Sequence, residues 1–230
     1  MSNRAYEAGL TTFREELAEA EAKGEGKLWR AGGRVSKKYP NKEDKTWWLS
    51  EGPTMVHNWY NFRMTNPNLD IWHTPGGIPA IELAIDVELP GGVILKSHID
   101  RVMVDVDTNE TIIVDLKTGQ PPKSGLQLAV YRLAILQQFG EAPRFGSYWM
   151  ARAGTLDTVY DLEQYNPEMV ARWLRDVRKA IDMGIFIPNT NNWCSTCGVR
   201  DSCYTQGNMQ FAPDFLGDLK EGSNGLEETS

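Results

Sequence analysis

The chain has little that would staple it, span a membrane or hold nucleic acid by bulk charge. Of its 230 residues only three are cysteine, Cys194, Cys197 and Cys203, an odd and crowded set that argues against a disulfide framework and for a metal or cluster site. No apolar run approaches the roughly 18 residues that cross a bilayer; even Leu128–Leu136 contains Arg132. The first 22 residues carry Glu7, Glu15, Glu16, Glu19 and Glu21, which a secretory signal would not tolerate, so a cytoplasmic protein with no membrane partner is expected. Basic residues are outnumbered, 24 against 31 acidic, for a net charge of -7. That balance argues against binding nucleic acid through bulk charge, and leaves open contact with phosphate through a bound cation. What is present is a 41% hydrophobic chain of ordinary domain size, with a sizeable core and no internal repeat.

Charge and pattern divide the chain into an N-terminal helical and basic region (1–52), a core (53–190), a Cys-rich segment (191–210) and an acidic tail (211–230) read as disordered. Eight Lys or Arg stand against three acidic residues between Lys23 and Lys45. The periodicity predicts helices over Tyr6–Ala22 and Pro53–Met64, with Pro53 suited to a first turn. Ile81, Leu83, Ile85, Val87 and Leu89 alternate with polar or small residues, as in a half-buried strand. Turns at Pro90-Gly91-Gly92 and Asp107-Thr108-Asn109 separate it from strands over Val93–Val104 and Thr111–Lys117. A helix over Leu126–Phe139, strands over Phe145–Arg152 and Thr155–Leu162, and a helix from Pro167, capped by Asn166 and stopped by Gly184, complete the pattern. The last helix has an apolar stripe of Met169, Val170, Trp173, Leu174, Val177 and Ile181. This is a mixed α/β domain with a three-strand antiparallel meander, not a doubly wound repeat.

Register concentrates acids on the meander. A turn centred on Gly91 places Glu82 opposite Asp100, and one centred between Asp107 and Thr108 places Asp100 opposite Asp115. Asp115 and Lys117 share a face, being two apart on a strand. Directly opposed side chains lie about 5 Å apart, so repelling carboxylates there are relieved by a divalent cation with oxygen ligands. The competing reading is a wet strand face with an ordinary surface pair. Gln127 and Tyr131, four apart on the following helix, return over the strand end.

Together, Gly52-x4-His57, Ser97-His98-Ile99-Asp100-Arg101, Asp115-Leu116-Lys117-Thr118-Gly119 and Gln127-x3-Tyr131 resemble the ordered motifs of the P-D-(D/E)-x-K nuclease superfamily. The similarity is to its RecB, AddB and CRISPR-associated exonuclease branch. Ser97 stands where those relatives have Gly, and Ile99 precedes the Asp. The resemblance implies a restriction-endonuclease-like core in which His57, Asp100, Asp115 and the Leu116 carbonyl hold Mg²⁺ or Mn²⁺, with Glu82 an outer partner. It implies catalysis by Asp100, Asp115 and Lys117, with Gln127 and Tyr131 positioning the strand or the Lys. The implied function is a divalent-metal-dependent DNA exonuclease acting at ends in recombination, repair or phage DNA processing. Its DNA would be ended or single-stranded, and its setting a bacterial or phage-infected cytosol. A homo-oligomer or a recombination partner is open. The alternatives are a catalytically inactive nuclease-like binding module and an unrelated metal-dependent phosphoesterase.

Cys194-x2-Cys197-x5-Cys203 resembles the C-terminal iron–sulfur signature of the same relatives, which use four Cys. One ligand is missing here. An iron–sulfur cluster completed by another ligand, a zinc site completed by His73 or His57, and three free thiols remain open. His98 shares a strand face with Asp100 and is read as a polar residue on the wet face, with a metal or phosphate contact as the alternative. The basic stretch and Trp47, Trp48, Trp59, Tyr60 and Phe62 are read either as a backbone groove with a stacking platform or as core and rim.

Overall fold

The computed structural model describes residues 3–23, 45–191, 194 and 197–206. The basic residues from 24 to 44, Lys37 and Lys38 among them, and the acidic tail from 207 onward lie outside the described residues. The meander forms as the pattern predicts. Strands β2 (Ile81–Leu89) and β3 (Val93–Asp105) pair antiparallel from Leu89↔Val93 to Ile81↔Arg101. The Gly91 and Gly92 turn has φ of 98° and 79°, a conformation that costs glycine little. Strand β4 (Thr111–Lys117) pairs with β3 from Val104↔Thr111 to Arg101↔Val114. Its turn is held by the Asp105 carboxylate, which accepts the N–H groups of Asp107 at 2.9 Å and Thr108 at 3.1 Å. Strand β1 (Leu69–Ile71) adds to the far end of β3 and has no alternating pattern that would announce it.

After β4 the sheet changes sense. Helix α3 (Leu126–Phe139) carries the chain back so that β5 (Phe145–Met150) lies parallel to β4, from Ile112↔Phe145 to Lys117↔Met150. The expected strand over 155–162 is instead two short pieces, β6 (Thr155–Leu156) and β7 (Tyr160–Asp161), pairing opposite ends of β5. Between them the buried Ser147 hydroxyl takes the carbonyls of Asp157 and Thr158, at 3.2 and 3.1 Å, so those groups leave the ladder.

Helices α1 (Asn3–Ala22) and α2 (Lys45–Thr65) pack closely, and a Cβ at Gly52 would fall within 2.1 Å of the Phe13 ring. The predicted start of α2 at Pro53 is corrected: the helix begins two turns earlier and Pro53 lies inside it. Tertiary contacts offset the lost backbone bond. Trp47 and Trp48 pack on the cluster of Met55, Phe62, Met103, Val114, Trp149 and Ala151, and Lys45 pairs with Glu21 at 2.6 Å. The boundary expected at residue 52 therefore falls within a helix. Alternation on β4 sends Val114 toward this α2 cluster and Asp115 to the opposite face, toward α3.

The chain divides into two units after Ala171, within α4 (Pro167–Asp182). Asn166 caps α4, its Oδ1 accepting from Glu168 N at 2.8 Å and Met169 N at 3.3 Å. Val170 and Ala171 are buried, while Met169, Trp173, Val177 and Ile181 of the expected apolar stripe are exposed. In the second unit Phe186, Ile187, Pro188, Val199, Cys203 and Tyr204 line an open apolar hollow.

Candidate active site

The site is built at the end of β4. The β3–β4 ladder stops at Arg101↔Val114, and one further step in the same register sets Asp100 opposite Asp115. There the Asp100 Oδ2 accepts the Leu116 N–H at 2.7 Å, so a carboxylate takes a backbone donor just beyond the last strand pair. Asp115 is 2% exposed. Its Oδ1 accepts from Gln127 Nε2 at 3.1 Å and lies 3.4 Å from the Tyr131 hydroxyl. Gln127 also donates to the Tyr131 oxygen at 2.8 Å, so the two side chains four apart on α3 act as one fork. Lys117 Nζ lies 2.6 Å from Asp115 Oδ2 as an ion pair, and Oδ2 is buried with no other partner among the described residues. The Lys117 ammonium is also 5.8 Å from the centroid of the buried Tyr148 ring.

Burial raises the Asp115 carboxyl above its ordinary value, the Lys117 charge and hydrogen bonding oppose this, and the Asp100 charge reinforces it. Desolvation is the larger effect, so one ammonium does not fully offset the cost of an anion here. Burial likewise raises the Tyr131 and Tyr148 hydroxyls, which stay protonated as donors. A second cation at Asp115 would relieve a charge that Lys117 leaves undercompensated. The buried Asp115 carboxylate, with the Asp100 carboxylate acting on it, is the oxygen-donor chemistry that a hard divalent ion takes. The residues present therefore fit Mg²⁺ or Mn²⁺.

Asp100, Asp115, Leu116, Lys117, Gln127 and Tyr131 are thus gathered, and two other expected ligands are not. Among the described residues no group of three or more His, Cys, Asp or Glu side chains is placed to hold one ion. His57 is exposed on α2, its ring edge-on to Tyr6 with centroids 5.4 Å apart. Glu82 is exposed and reaches Arg101 at 3.3 Å; its φ of 48° interrupts the ladder where it would face Asp100. His98 is exposed opposite Ala84, and His73 Nδ1 lies 3.1 Å from the Ile71 carbonyl. The stacking-platform reading is corrected for Trp59 and Phe62. Trp59 meets Trp149 at 4.9 Å and Phe62 is 8% exposed, because this face of α2 covers the sheet.

Comparison with known proteins decides the family. Residues 8–204 match the model of the PD-(D/E)XK nuclease superfamily. The chain belongs to that superfamily. In this PD-(D/E)XK nuclease the mixed, curled sheet and its helices are the restriction-endonuclease-like fold, a fold whose members typically use Mg²⁺ or Mn²⁺ and act on DNA. The chain is similar to the Gene 69 protein of Mycobacterium phage D29, 33% identical over 192 residues, covering 74% of this chain and 69% of that one. It is also similar to the Gene 69 protein of Mycobacterium phage L5, 34% identical over 131 residues, 54% of this chain and 44% of that one.

The nuclease's cysteines do not form the expected ligand group. Cys194 and Cys203 are half-buried, Cys197 is exposed, and all three are free thiols. Successive bonds from Cys197 N to Cys194 O, Arg200 N to Cys197 O and Cys203 N to Arg200 O wind this segment into single turns. The outer thiols find local partners: Cys194 Sγ accepts from Asn191 N at 3.3 Å, and Cys203 Sγ lies 3.1 Å from Thr205 Oγ1. Thr205 lowers the Cys203 thiol below its ordinary value. Three unconverged donors do not fit a cubane cluster or tetrahedral zinc, so neither is assigned. Sequence reasoning also missed the neighbours supplied by β5, namely Tyr148 beside Asp115 and the turn after Met150 beside Lys117. Only parallel pairing reveals them, and no local pattern encodes it.

No helix among the described residues is long and apolar enough to cross a membrane.

Proposed function

We propose that this protein is a divalent-metal-dependent DNA exonuclease that hydrolyses phosphodiester bonds at DNA ends during phage DNA recombination, repair or processing. The observation that carries the reading is the buried Asp115 carboxylate, with Oδ1 bound by Gln127, Oδ2 ion-paired to Lys117, and the Asp100 charge close enough to act on it. Asp100, Asp115 and the Leu116 carbonyl would hold Mg²⁺ or Mn²⁺. When bound, such an ion polarises a phosphate oxygen and lowers the pKa of coordinated water. Lys117 stands beside that carboxylate to orient the attacking water and to offset negative charge developing on the phosphate. Gln127 and Tyr131 hold Asp115 in one rotamer, so ligand geometry is set before substrate arrives. No nucleophilic side chain is required. The resemblance adds His57 to the ligand set, and His57→Ala tests that claim: Mn²⁺ affinity weakened about 10-fold or more supports it, and unchanged affinity removes His57.

The test of the whole reading is cleavage of end-labelled linear and covalently closed circular DNA, single- and double-stranded, with Mg²⁺ or Mn²⁺. Linear DNA is expected to lose its ends while circles persist. Cleaved circles would overturn the exonuclease assignment, and a wild-type protein that cuts nothing would overturn the nuclease assignment and favour the inactive binding module.

A further inference from the structure

Tyr148 is wholly buried on β5 and has no part in the chemistry just described. Parallel pairing sets it level with Asp115 and on the same sheet face, while its neighbour Trp149 turns to the α2 cluster. Lys117 lies two residues further along β4, one diagonal step from Tyr148 and within reach of a long side chain. Its ammonium stands over the Tyr148 ring, 5.8 Å from the centroid, and 2.6 Å from Asp115 Oδ2. The ring quadrupole attracts a cation, the more so where water is largely excluded. Ring and carboxylate therefore favour the same placement of a side chain that would otherwise sample many rotamers.

The other end of Tyr148 reaches the start of α3. Its hydroxyl donates to the Ser124 carbonyl at 2.9 Å, closing the loop that leads from Lys117 through Pro121 and Pro122 to the helix. No side chain caps α3, because the residue at its N-terminal cap is Gly125. The Gly125 backbone lies instead against Tyr160, so closely that a Cβ there would meet the ring at 2.8 Å. Tyr160 in turn packs edge-on to Tyr148, with ring centroids 6.1 Å apart. The two tyrosines thus take over from a cap in fixing where the helix begins. Gln127 follows two residues later and donates to Asp115 Oδ1 at 3.1 Å. Tyr148 therefore touches both supports of Asp115, the ammonium on Oδ2 through its ring and the amide on Oδ1 through the loop.

We propose that Tyr148 is a positioning residue of the nuclease site: its ring holds the Lys117 ammonium on Asp115, and its hydroxyl ties down the loop from which α3 delivers Gln127. The proposal rests on the nuclease reading and deepens it with a residue outside the motifs, contributed by a strand that only parallel pairing brings to the site. Tyr148 acts through Lys117 and Gln127, so its loss should slow the chemical step and leave substrate binding alone.

The test uses the full chain, with kcat and KM measured on an oligonucleotide with Mn²⁺ and folding checked by circular dichroism. Tyr148→Phe keeps the ring and loses the Ser124 bond, and is expected to lower kcat by about 3-fold. Tyr148→Leu loses both, and is expected to lower kcat by about 10-fold or more with KM unchanged. In a Lys117→Met background the ring has no ammonium to hold, so Tyr148→Leu should cost no more than Tyr148→Phe does. The same 10-fold loss in that background, or an unchanged kcat in a folded Tyr148→Leu variant, would overturn the positioning role and leave the nuclease reading intact. A readout independent of activity is the nuclear Overhauser contact between the Lys117 ε-methylene and the Tyr148 ring in the metal-free wild type. It is expected to be present, and its absence overturns the proposal whether or not Tyr148→Leu folds. A wild type that shows this contact and cuts nothing overturns the nuclease reading and leaves the holding of Lys117 standing.

Discussion

The strand end that carries Asp100 and Asp115 and the turns that carry Cys194, Cys197 and Cys203 both offer metal-ligand residue types at close spacing. They differ in what holds the side chains. The carboxylates are placed by a β-ladder and gripped by a helix: Leu116 N–H on Asp100 and Gln127 on Asp115. The thiols sit on consecutive short turns and bond to Asn191 and Thr205 within three residues of themselves. Burial differs as well, since Asp115 is 2% exposed while Cys197 is exposed. Ligand identity and spacing are therefore insufficient to make a centre; nonlocal partners that fix rotamers and exclude water are needed.

The largest test of this contrast removes the gripped groups. Asp115→Asn and Lys117→Ala are expected to reduce metal-dependent cleavage by about 10²–10⁴-fold with circular dichroism unchanged. Full activity in either purified variant would break the comparison at its stronger side. Next in size is the response to metal. Saturating Mn²⁺, at about 100 times its Kd, should stabilise the wild type by about 2.7 kcal/mol, or roughly 5–10 °C in Tm, with little shift in Asp115→Asn.

The metal-free Asp115→Asn variant should itself melt above the metal-free wild type at neutral pH. The reason is that the folded Asp115 carboxyl lies above its ordinary 3.8, so folding favours the protonated form. Its contribution to stability is complete below the unfolded value and is lost as pH rises through the folded value. The gap between variant and wild type should close on acidification through that window, and a gap independent of pH would contradict the assignment of cost to this carboxylate. Smaller again is Gln127→Leu, which strips Oδ1 of its 3.1 Å donor. A loss of about 1–3 kcal/mol in urea unfolding is expected, together with reduced cleavage. Smallest is replacement of all three cysteines by serine, expected to change stability by no more than about 0.5 kcal/mol and cleavage little. Metal analysis of the wild type should find neither iron nor zinc in stoichiometric amount; a stoichiometric cluster would erase the contrast.

Much of the first unit could be read along the chain. The strands Ile81–Leu89 and Thr111–Lys117 and the helix Leu126–Phe139 have the bounds that alternation and turn residues imply. Both meander registers follow from turn position alone, because a tight turn leaves the two flanking strands only one way to pair. Pro53 was misleading, as the packing of Trp47 and Trp48 outweighs its cost inside α2. The strand expected over 155–162 was misleading too, since the buried Ser147 hydroxyl takes two of its carbonyls.

By itself the sequence determined that acids of adjacent strands converge, that Lys117 shares a face with Asp115, and that Gln127 and Tyr131 lie on one helix face. Each is a matter of local periodicity and short turns. Only the tertiary structure decided that Asp115 is buried, that His57 is exposed on α2 and that Glu82 turns to Arg101. Tertiary structure also decided that β5 runs parallel to β4 and brings Tyr148 beside Asp115. Those outcomes depend on α3 crossing over the sheet and α2 packing beneath it. Contacts of that kind join residues far apart in the chain, and no local spacing specifies them.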